Sequence, residues 1–571
     1  MRRAELSVSR SAVGSSVGMI CTGHRLSADV GAQVLMDGGN AIDAAAAAVF
    51  ASWVVEPEMC GVGGTVQGVM HLAASGETTV LYPVRGVPAA ATEDMFELEP
   101  GLDPWGRWRK VRDDANLHGP RSIATPGALA GMSAVLDSYG SLPLARLLEP
   151  AIAYARNGFR VDGYTALTIG SHLGEILRYP ATAAIFAPRS VPPSPGSAHQ
   201  AGSVIVQADL ARSLERIAHE GAAVFHGGDL GRQVELYLAS VGGILTARDL
   251  RDLAVRLDSQ ERPFTYRGFE LVWADGYFAP LMLNILENFD LASLGPESPA
   301  YRHLMIETMR YAFSGVLEYL ADPGMMPTPI DGLWSKAYAA EIADRIDMRR
   351  ASGWMEPVDP WPHETRITGQ QRPASKRVAS RGIDNPGTTQ VVAADSDGNL
   401  ASFNVTHGGA FGSGVTVPGT GIVLNNAMIS FDPEPRRANS IRPNRRVMAF
   451  APNVVLLRNG APRLAFGASG GRTTISCQVH VICGLVNFGM SAQEAIEAPR
   501  VHCETGDAWV DVRVGEKVGH ELRSLGHEIN VVEETFHSPF FGRPVTIEVL
   551  PDGRGFRSGI SNLHRTAAVA L

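Results

Sequence analysis

The hydrophobic pattern of this chain changes character once, close to Gly387. Before that point the apolar runs are long and helical. DGGNAIDAAAAAVFASWVVEP opens on a turn at Gly38, Gly39 and Asn40, and the alanine-rich run from Ala41 predicts a buried helix. Further helices are predicted through LAGMSAVLDSYG, after the turn at Pro126 and Gly127, and through LARLLEPAIAYARNGF, which ends at Gly158. From Gln200 to about Arg350, helical patterns in DLARSLERIAHEG, FAPLMLNILENFDL and YRHLMIETMRYAFSGVLEYLAD alternate with short strand-like runs such as FELVWA.

From Asp359 to Gly387 the sequence is polar, rich in Pro, Gly, Arg and Ser, and without a sustained period, which predicts an exposed, mobile connector. Strands follow: TTQVVAADSDGNLASFNVT, GIVLNNAMISF, VVLLRNGAPRLAF and VTIEVLPDGRGFRSG. Apolar β-formers flank D-G or N-G turns at Asp397-Gly398, Asn459-Gly460 and Asp552-Gly553, a strong hairpin signal. The last third is therefore expected to be dominated by antiparallel hairpins.

The first hairpin carries a geometric consequence. A five-residue loop from Asp395 to Asn399 pairs Ala394 with Leu400, and the constant sum of partner positions then sets Thr388 opposite Thr406. A Thr pair ordinarily just stabilises a hairpin, by some tenths of a kcal/mol. Here Thr388 follows Pro386-Gly387 at the end of the connector, where a backbone break would make it a new N-terminus. A free α-amine, with an ordinary pKa of about 7.7 to 8.0, can take the Thr hydroxyl proton near neutral pH without a histidine. Such chemistry needs no metal and no cofactor.

Composition narrows the remaining classes. The chain has 571 residues, 45% hydrophobic and 19% charged, enough for a large core. A net charge of -9, with basic residues scattered apart from runs at Arg107 to Arg112 and Arg442 to Arg446, argues against nucleic acid as a partner. The charged start lacks an apolar stretch to follow it, and no span reaches the roughly 18 to 20 apolar residues of a membrane helix, so a cytoplasmic location is expected. Cys21, Cys60, Cys477, Cys483 and Cys503 have neither the number nor the spacing of a disulfide framework or zinc site, and read as buried thiols.

Five segments in order resemble the γ-glutamyltranspeptidase family over nearly the whole chain. They are GGNAIDAAAAAVFASWVVEPEMCGVGG, GPRSIATPGALAGMSAVLDSYGSLPLARLLEPAIAYARNGFRV, NPGTTQVVAADSDGNLASFNVT, FGSGVTVPGTGIVLNNAMISF, and GASGGRTTI followed by GMSAQEAIEAPRVH. The resemblance implies an N-terminal-nucleophile hydrolase of the α+β class, a four-layer αββα sandwich of two packed antiparallel sheets. It implies a large subunit, 1–387, and a small catalytic subunit, 388–571, sharing one core after cleavage between Gly387 and Thr388. Pairing of two such heterodimers is compatible with it. Thr388 would be the nucleophile, Thr406 its hydrogen-bonding support, and Gly470 and Gly471 the oxyanion hole, since glycine backbone can approach a substrate closely. Arg85 would grip a substrate carboxylate through a bidentate contact.

The positions that read the rest of a glutamyl group differ from the family pattern. Ser430 stands where an aspartate usually receives the α-amino group, Ala427 where a polar side chain is common, and Gly408 where an asparagine is common. Ala449 and Phe450 replace a serine pair, and GVGGTVQG and DGYFAPLM alter two pocket segments. Loss of the aspartate removes a charge-assisted contact typically worth about 1.5 to 3 kcal/mol to a substrate ammonium. The expected substrate is thus a small carboxylate-bearing amide without that amino group, of the oxamate-like or acylase type. Alternatives are a γ-glutamyl hydrolase or transpeptidase proper, a hydrolase of carbon–carbon bonds in secondary metabolism, and an uncleaved binding protein for a small acid. A different enzyme class is suggested by Gly467-Ala468-Ser469-Gly470-Gly471, which fits a nucleophile elbow with Ser469 attacking, although the clustered hairpins argue against the α/β-hydrolase fold it requires.

Overall fold

The computed structural model describes all residues except 1–9, 261–263, 274–275, 354, 368–385, 447–452, 537–539, 552, 554 and 563–564. Most of the expected connector, and the positions of Ala449 and Phe450, lie outside the described residues.

Two seven-stranded antiparallel sheets form the centre. In the first, Met19–Thr22 pairs with Pro386–Ala394, which pairs with Leu400–Gly409, followed by Thr65–Leu72 and Glu77–Val84. The second contains Phe269–Trp273, Val454–Arg458, Ala461–Ser469, Arg543–Val549 and Phe556–Ile560 in that order. Their inner faces meet through Met19, Val69, Val272, Val392, Val455 and Ile547, all buried. Helices Arg25–Met36 and Ala41–Val55 cover the outer face of the first sheet. Phe278–Leu286, Pro299–Tyr319 and Thr473–Phe488 cover the outer face of the second. Both sheets contain strands from either side of Gly387, so a chain cut there would still share one core.

The alanine-rich helix is Ala41–Val55, and all of its residues are buried. Alanine suits that position because it combines high helix propensity with a side chain small enough for close packing on all sides. Asn40 and Asp43 form a reciprocal capping box at its start. Asp395, in the loop of the Thr388 hairpin, accepts the Ala41 N–H at 2.8 Å while also holding the N–H groups of Asp397 and Asn399. One carboxylate therefore closes the hairpin and fixes the helix start to it.

The hairpin register is the expected one: Ala394 faces Leu400 and Thr388 faces Thr406. The hairpins around Asn459-Gly460 and between 549 and 556 also form. Two expectations need correction. The nominally helical first third contributes the strands Thr65–Leu72 and Glu77–Val84 to the first sheet. GIVLNNAMISF is mostly not a strand: only Ile422–Val423 is extended, and Ala427–Ser430 forms a 3-10 turn. Asn425 bonds through its amide to Gly63 O and Ala124 O, and Asn426 bonds to Leu117 O, so these side chains tie loops together where a ladder would have continued.

Candidate active site

Thr388 lies near the start of a central strand, and a β-bulge separates it from Gly387: Gly387 faces Gly408 while Thr388 faces Thr406, leaving His407 as the extra residue. Gly387 packs so tightly against the neighbouring strand that a Cβ there would lie 1.9 Å from Gly409 O. The bulge brings three groups to Thr406. Its hydroxyl donates to Gly387 O at 2.5 Å and accepts from Gly408 N–H at 2.8 Å. Thr388 Oγ1 stands 2.7 Å from Thr406 Oγ1, and with the Thr406 proton committed to Gly387 O, Thr388 is the donor of that bond.

A narrow cleft opens over Thr388 and Thr406. Gly470 and Gly471 line it, as do Gly408, Ser430 and Arg85. The two glycines follow strand Ala461–Ser469, have φ of 136° and 58°, and precede helix Thr473–Phe488. The hydroxyls of Thr473 and Thr474 return to Gly470 O and Gly471 O at 2.7 and 2.6 Å, pinning both carbonyls at the helix start. Asn404 donates to Ala468 O at 2.5 Å and accepts from Asn453 at 3.0 Å, joining the hairpin of Thr388 to the strand that leads into the glycines.

Not every expected residue is in the cleft. Ala427 is fully buried among Val87, Phe96, Met428 and Phe431 and does not line it. Ser469 does sit between a strand and a helix, as the elbow reading requires, but its sheet is antiparallel, and Ser469 is buried and outside the cleft lining. Sequence reasoning missed Arg107 and Arg472. Arg107 lies over the Trp105 ring at 5.1 Å, and Arg472 is buried beside Glu504 at 2.9 Å. Arg472 directly follows Gly471, which was the available signal; Arg107 looked like part of a surface basic run. Arg85, Arg107 and Arg472 all line the cleft, and among the described residues no acidic side chain does.

Behind the nucleophile strand is a buried charge cluster. Thr389 donates its hydroxyl to Glu56 at 2.9 Å, and Arg565 contacts Glu56 at 3.1 Å, Asp162 at 3.4 Å and Glu58 as well. Burial pushes the Glu58 carboxyl upward, opposed by the Arg565 charge. Elsewhere His303, Glu307 and His527 gather at metal-ligand separations. There, however, His303 Nδ1 and His527 Nε2 bond each other at 2.7 Å, and Arg310 takes the Glu307 carboxylate at 3.1 Å. That arrangement is a hydrogen-bonded cluster with its own cation.

A threonine at a Gly-Thr junction between two packed antiparallel sheets, sharing an arginine-lined cleft with a glycine pair, fits an N-terminal-nucleophile amidohydrolase. A family model for gamma-glutamyltranspeptidase matches residues 27–570, and the chain belongs to that family. It is 36% identical over 534 residues to an acylase ACY 1 proenzyme of Pseudomonas sp. (strain SE83), an alignment covering 92% of this chain and 90% of the relative. It is 29% identical to a glutathione hydrolase proenzyme of Bacillus subtilis (strain 168), covering 90% of this chain and 85% of the relative. Among solved structures, a cephalosporin acylase from Bacillus halodurans superposes with a TM-score of 0.86 at 26% identity, covering 100% of this chain and 99% of that one. The protein is an enzyme of the Ntn type, a γ-glutamyltransferase-like hydrolase or acyltransferase.

Proposed function

We propose that the protein cuts its own chain before Thr388 and then uses Thr388 as nucleophile on a small carboxylate-bearing amide that lacks an α-amino group. The observation that carries this is the Thr388–Thr406–Gly387 chain of hydrogen bonds. In the uncut chain Thr406 polarises the Gly387 carbonyl while accepting from Thr388. Attack of Thr388 Oγ1 on the Gly387 carbon would pass the Thr388 proton to Thr406 and the Thr406 proton to the new oxyanion. Collapse breaks the Gly387–Thr388 C–N bond and gives an ester, which water hydrolyses.

The freed Thr388 amine then serves as base in the second reaction. Thr388 Oγ1 attacks the substrate acyl carbon, the Gly470 and Gly471 N–H groups receive the oxyanion, and the amine hands its proton to the leaving nitrogen. Water or an acceptor amine releases the acyl group. Arg85 anchors the carboxylate at the far end of the acyl chain. Ser430 in place of a carboxylate, in a cleft lined by three arginines, leaves a substrate ammonium without an anionic partner. The acylase relative supports cleavage of an acyl group. The layering of helices outside two facing sheets supports the four-layer αββα arrangement, with 1–387 and 388–571 as the two subunits of one intertwined domain.

Intact mass spectrometry of wild type beside Thr388→Ala tests the first step. Two fragments meeting between Gly387 and Thr388, with an intact variant, are expected; an uncut wild type overturns the reading. The second step is tested by comparing glutaryl-p-nitroanilide with γ-glutamyl-p-nitroanilide, and faster hydrolysis of the γ-glutamyl compound would overturn the substrate class.

A further inference from the structure

Thr388 stands on one sheet and the glycine pair follows a strand of the other, so the distance between them depends on how the sheets are held together. Over much of their facing area the contact is apolar, through residues such as Leu400, Val455 and Ala465. Apolar packing is non-directional and leaves room for small shifts of one sheet over the other. Toward the cleft the interface changes character. Ser402 and Asn404 follow Leu400 on the inward face of strand Leu400–Gly409, and both are buried. Gly467 faces them from the second sheet: a Cβ there would lie 3.3 Å from Asn404 Oδ1 and 3.3 Å from Ser402 Oγ. Without that side chain the sheets approach closely at this level.

Buried polar side chains make directed contacts across this gap. Ser402 Oγ donates to Phe466 O at 2.8 Å, and Asn404 Nδ2 donates to Ala468 O at 2.5 Å. A carbonyl can only accept, which fixes the orientation of the Asn404 amide and leaves Oδ1 to accept from Asn453 Nδ2 at 3.0 Å. Asn453 Nδ2 also donates to Ser402 Oγ at 2.8 Å. Among the described residues Ala468 O has no ladder donor: the residue facing it is Pro544, which has no N–H, and the pairing with strand Val454–Arg458 ends at Phe466. Asn404 supplies the missing donor. Gln390, two residues along the strand from Thr388, makes the matching contact beside it, donating to Arg543 O at 3.1 Å. Arg543 faces Ser469, the residue before Gly470.

We propose that Asn404 and Gln390 are positioning residues that set the distance from Thr388 Oγ1 to the Gly470 and Gly471 N–H groups. One amide comes from each strand of the Thr388 hairpin, and each takes a carbonyl at the level of the residues just before Gly470. The inference rests on the reading of those glycines as oxyanion donors. It separates the two reactions of Thr388. Self-cleavage draws on Thr406, Gly387 and Gly408, which lie within the hairpin and are not hydrogen-bonded by either amide. Acyl transfer needs the hairpin and the glycines in register, because nucleophile and oxyanion donors come from different sheets. Loss of an amide should therefore slow the second reaction and spare the first.

Asn404→Leu and Gln390→Met keep side-chain bulk and remove the amide. Each is compared with wild type in two assays: fragment formation in freshly translated chain, and hydrolysis of glutaryl-p-nitroanilide by the cut enzyme. Cleavage before Thr388 within about threefold of wild type is expected, with kcat at least about tenfold lower and KM changed by less than about threefold. Parallel loss of cleavage and kcat would mark a purely structural role and overturn the proposal, as would an unchanged kcat or a loss confined to KM. Should one variant fail to fold, the other gives the same comparison. Crystal structures add a readout independent of turnover: the distance from Gly470 N to Thr388 Oγ1 should differ from wild type by about 0.5 Å or more in each variant. A wild type that hydrolyses neither anilide would overturn the catalytic reading and leave this distance to decide, and an unchanged distance overturns the positioning role.

Discussion

A Cβ on Gly408 would lie 2.3 Å from Asn426 Oδ1, and Gly408 has a φ of 98°. Asn426 cannot give way freely, because Oδ1 accepts from Gly409 N–H at 2.7 Å and its amide donates to Leu117 O at 2.7 Å. Restoring the family's asparagine by Gly408→Asn should therefore damage the protein. Positive φ alone costs about 1 to 3 kcal/mol at a non-glycine residue, and the clash adds to it. Gly408 N–H also supports Thr406, so self-cleavage should slow. Urea midpoints and time courses of fragment formation check this, with Gly408→Asn/Asn426→Ala expected to recover part of the loss. A single variant as stable and as fully cut as wild type would refute the account.

Ser430→Asp should change the substrate preference. Ser430 is buried at the cleft and its backbone O is fixed by Asn439 at 2.7 Å, so a longer side chain would project from a defined position. A carboxylate there supplies the missing partner for an α-ammonium, worth about 1.5 to 3 kcal/mol. The kcat/KM ratio of γ-glutamyl- to glutaryl-p-nitroanilide should rise at least about tenfold. An unchanged ratio would show that Ser430 does not read this end of the substrate.

The Thr388–Thr406 pairing was legible in the sequence because a D-G loop fixes hairpin register by counting, and register carries along the strands without further information. Gly470 and Gly471 were legible only through resemblance. Strands Thr65–Leu72 and Glu77–Val84 pair with each other but were missed because the Ala73 to Gly76 turn between them lacks the D-G or N-G signal, and because the pairing that takes them into the central sheet, Thr65 with Thr406, is remote in sequence. Arg107 and Arg472 were missed for the same reason, since convergence on a cleft is a property of the folded sheets. Ala427 was assigned to the substrate by alignment, but the 3-10 turn carrying it puts its methyl group into an apolar cluster.

Arg565 should be more important than its place near the C-terminus suggests. It contacts Glu56, Glu58 and Asp162 and donates to Thr165 at 2.7 Å, while Glu56 holds Thr389 beside the nucleophile. Arg565→Met would leave buried carboxylates without their cation, a change that typically costs about 3 to 5 kcal/mol. Arg565→Lys keeps the charge but not the fork, and should lie between the two. The expected readouts are a lowered urea midpoint and slower cleavage before Thr388, with stability and cleavage falling in the order wild type, Lys, Met. A Met variant within about 1 kcal/mol of wild type would show that the cluster contributes little.

Acid should destabilise the fold through buried histidines. Burial pushes His407 down to about 3, and His527 falls to about 3 through burial, with the Arg310 charge and His303 adding to the effect. Arg310, His303 and the Glu307 carboxylate face His527, and the first two oppose its protonation. The folded values lie below the ordinary value of about 6.5, so the unfolded chain takes up protons first as pH falls. Their contribution is complete above about pH 6.5 and is lost progressively toward pH 3. At pH 5 the loss is about 2 kcal/mol for each histidine. Urea midpoints of the Thr388→Ala chain at pH 7.5, 6 and 5 should therefore fall steadily. His407→Asn and His527→Gln should each flatten that dependence, whatever they do to stability at pH 7.5. An identical pH dependence in wild type and both variants would place the acid sensitivity in other groups.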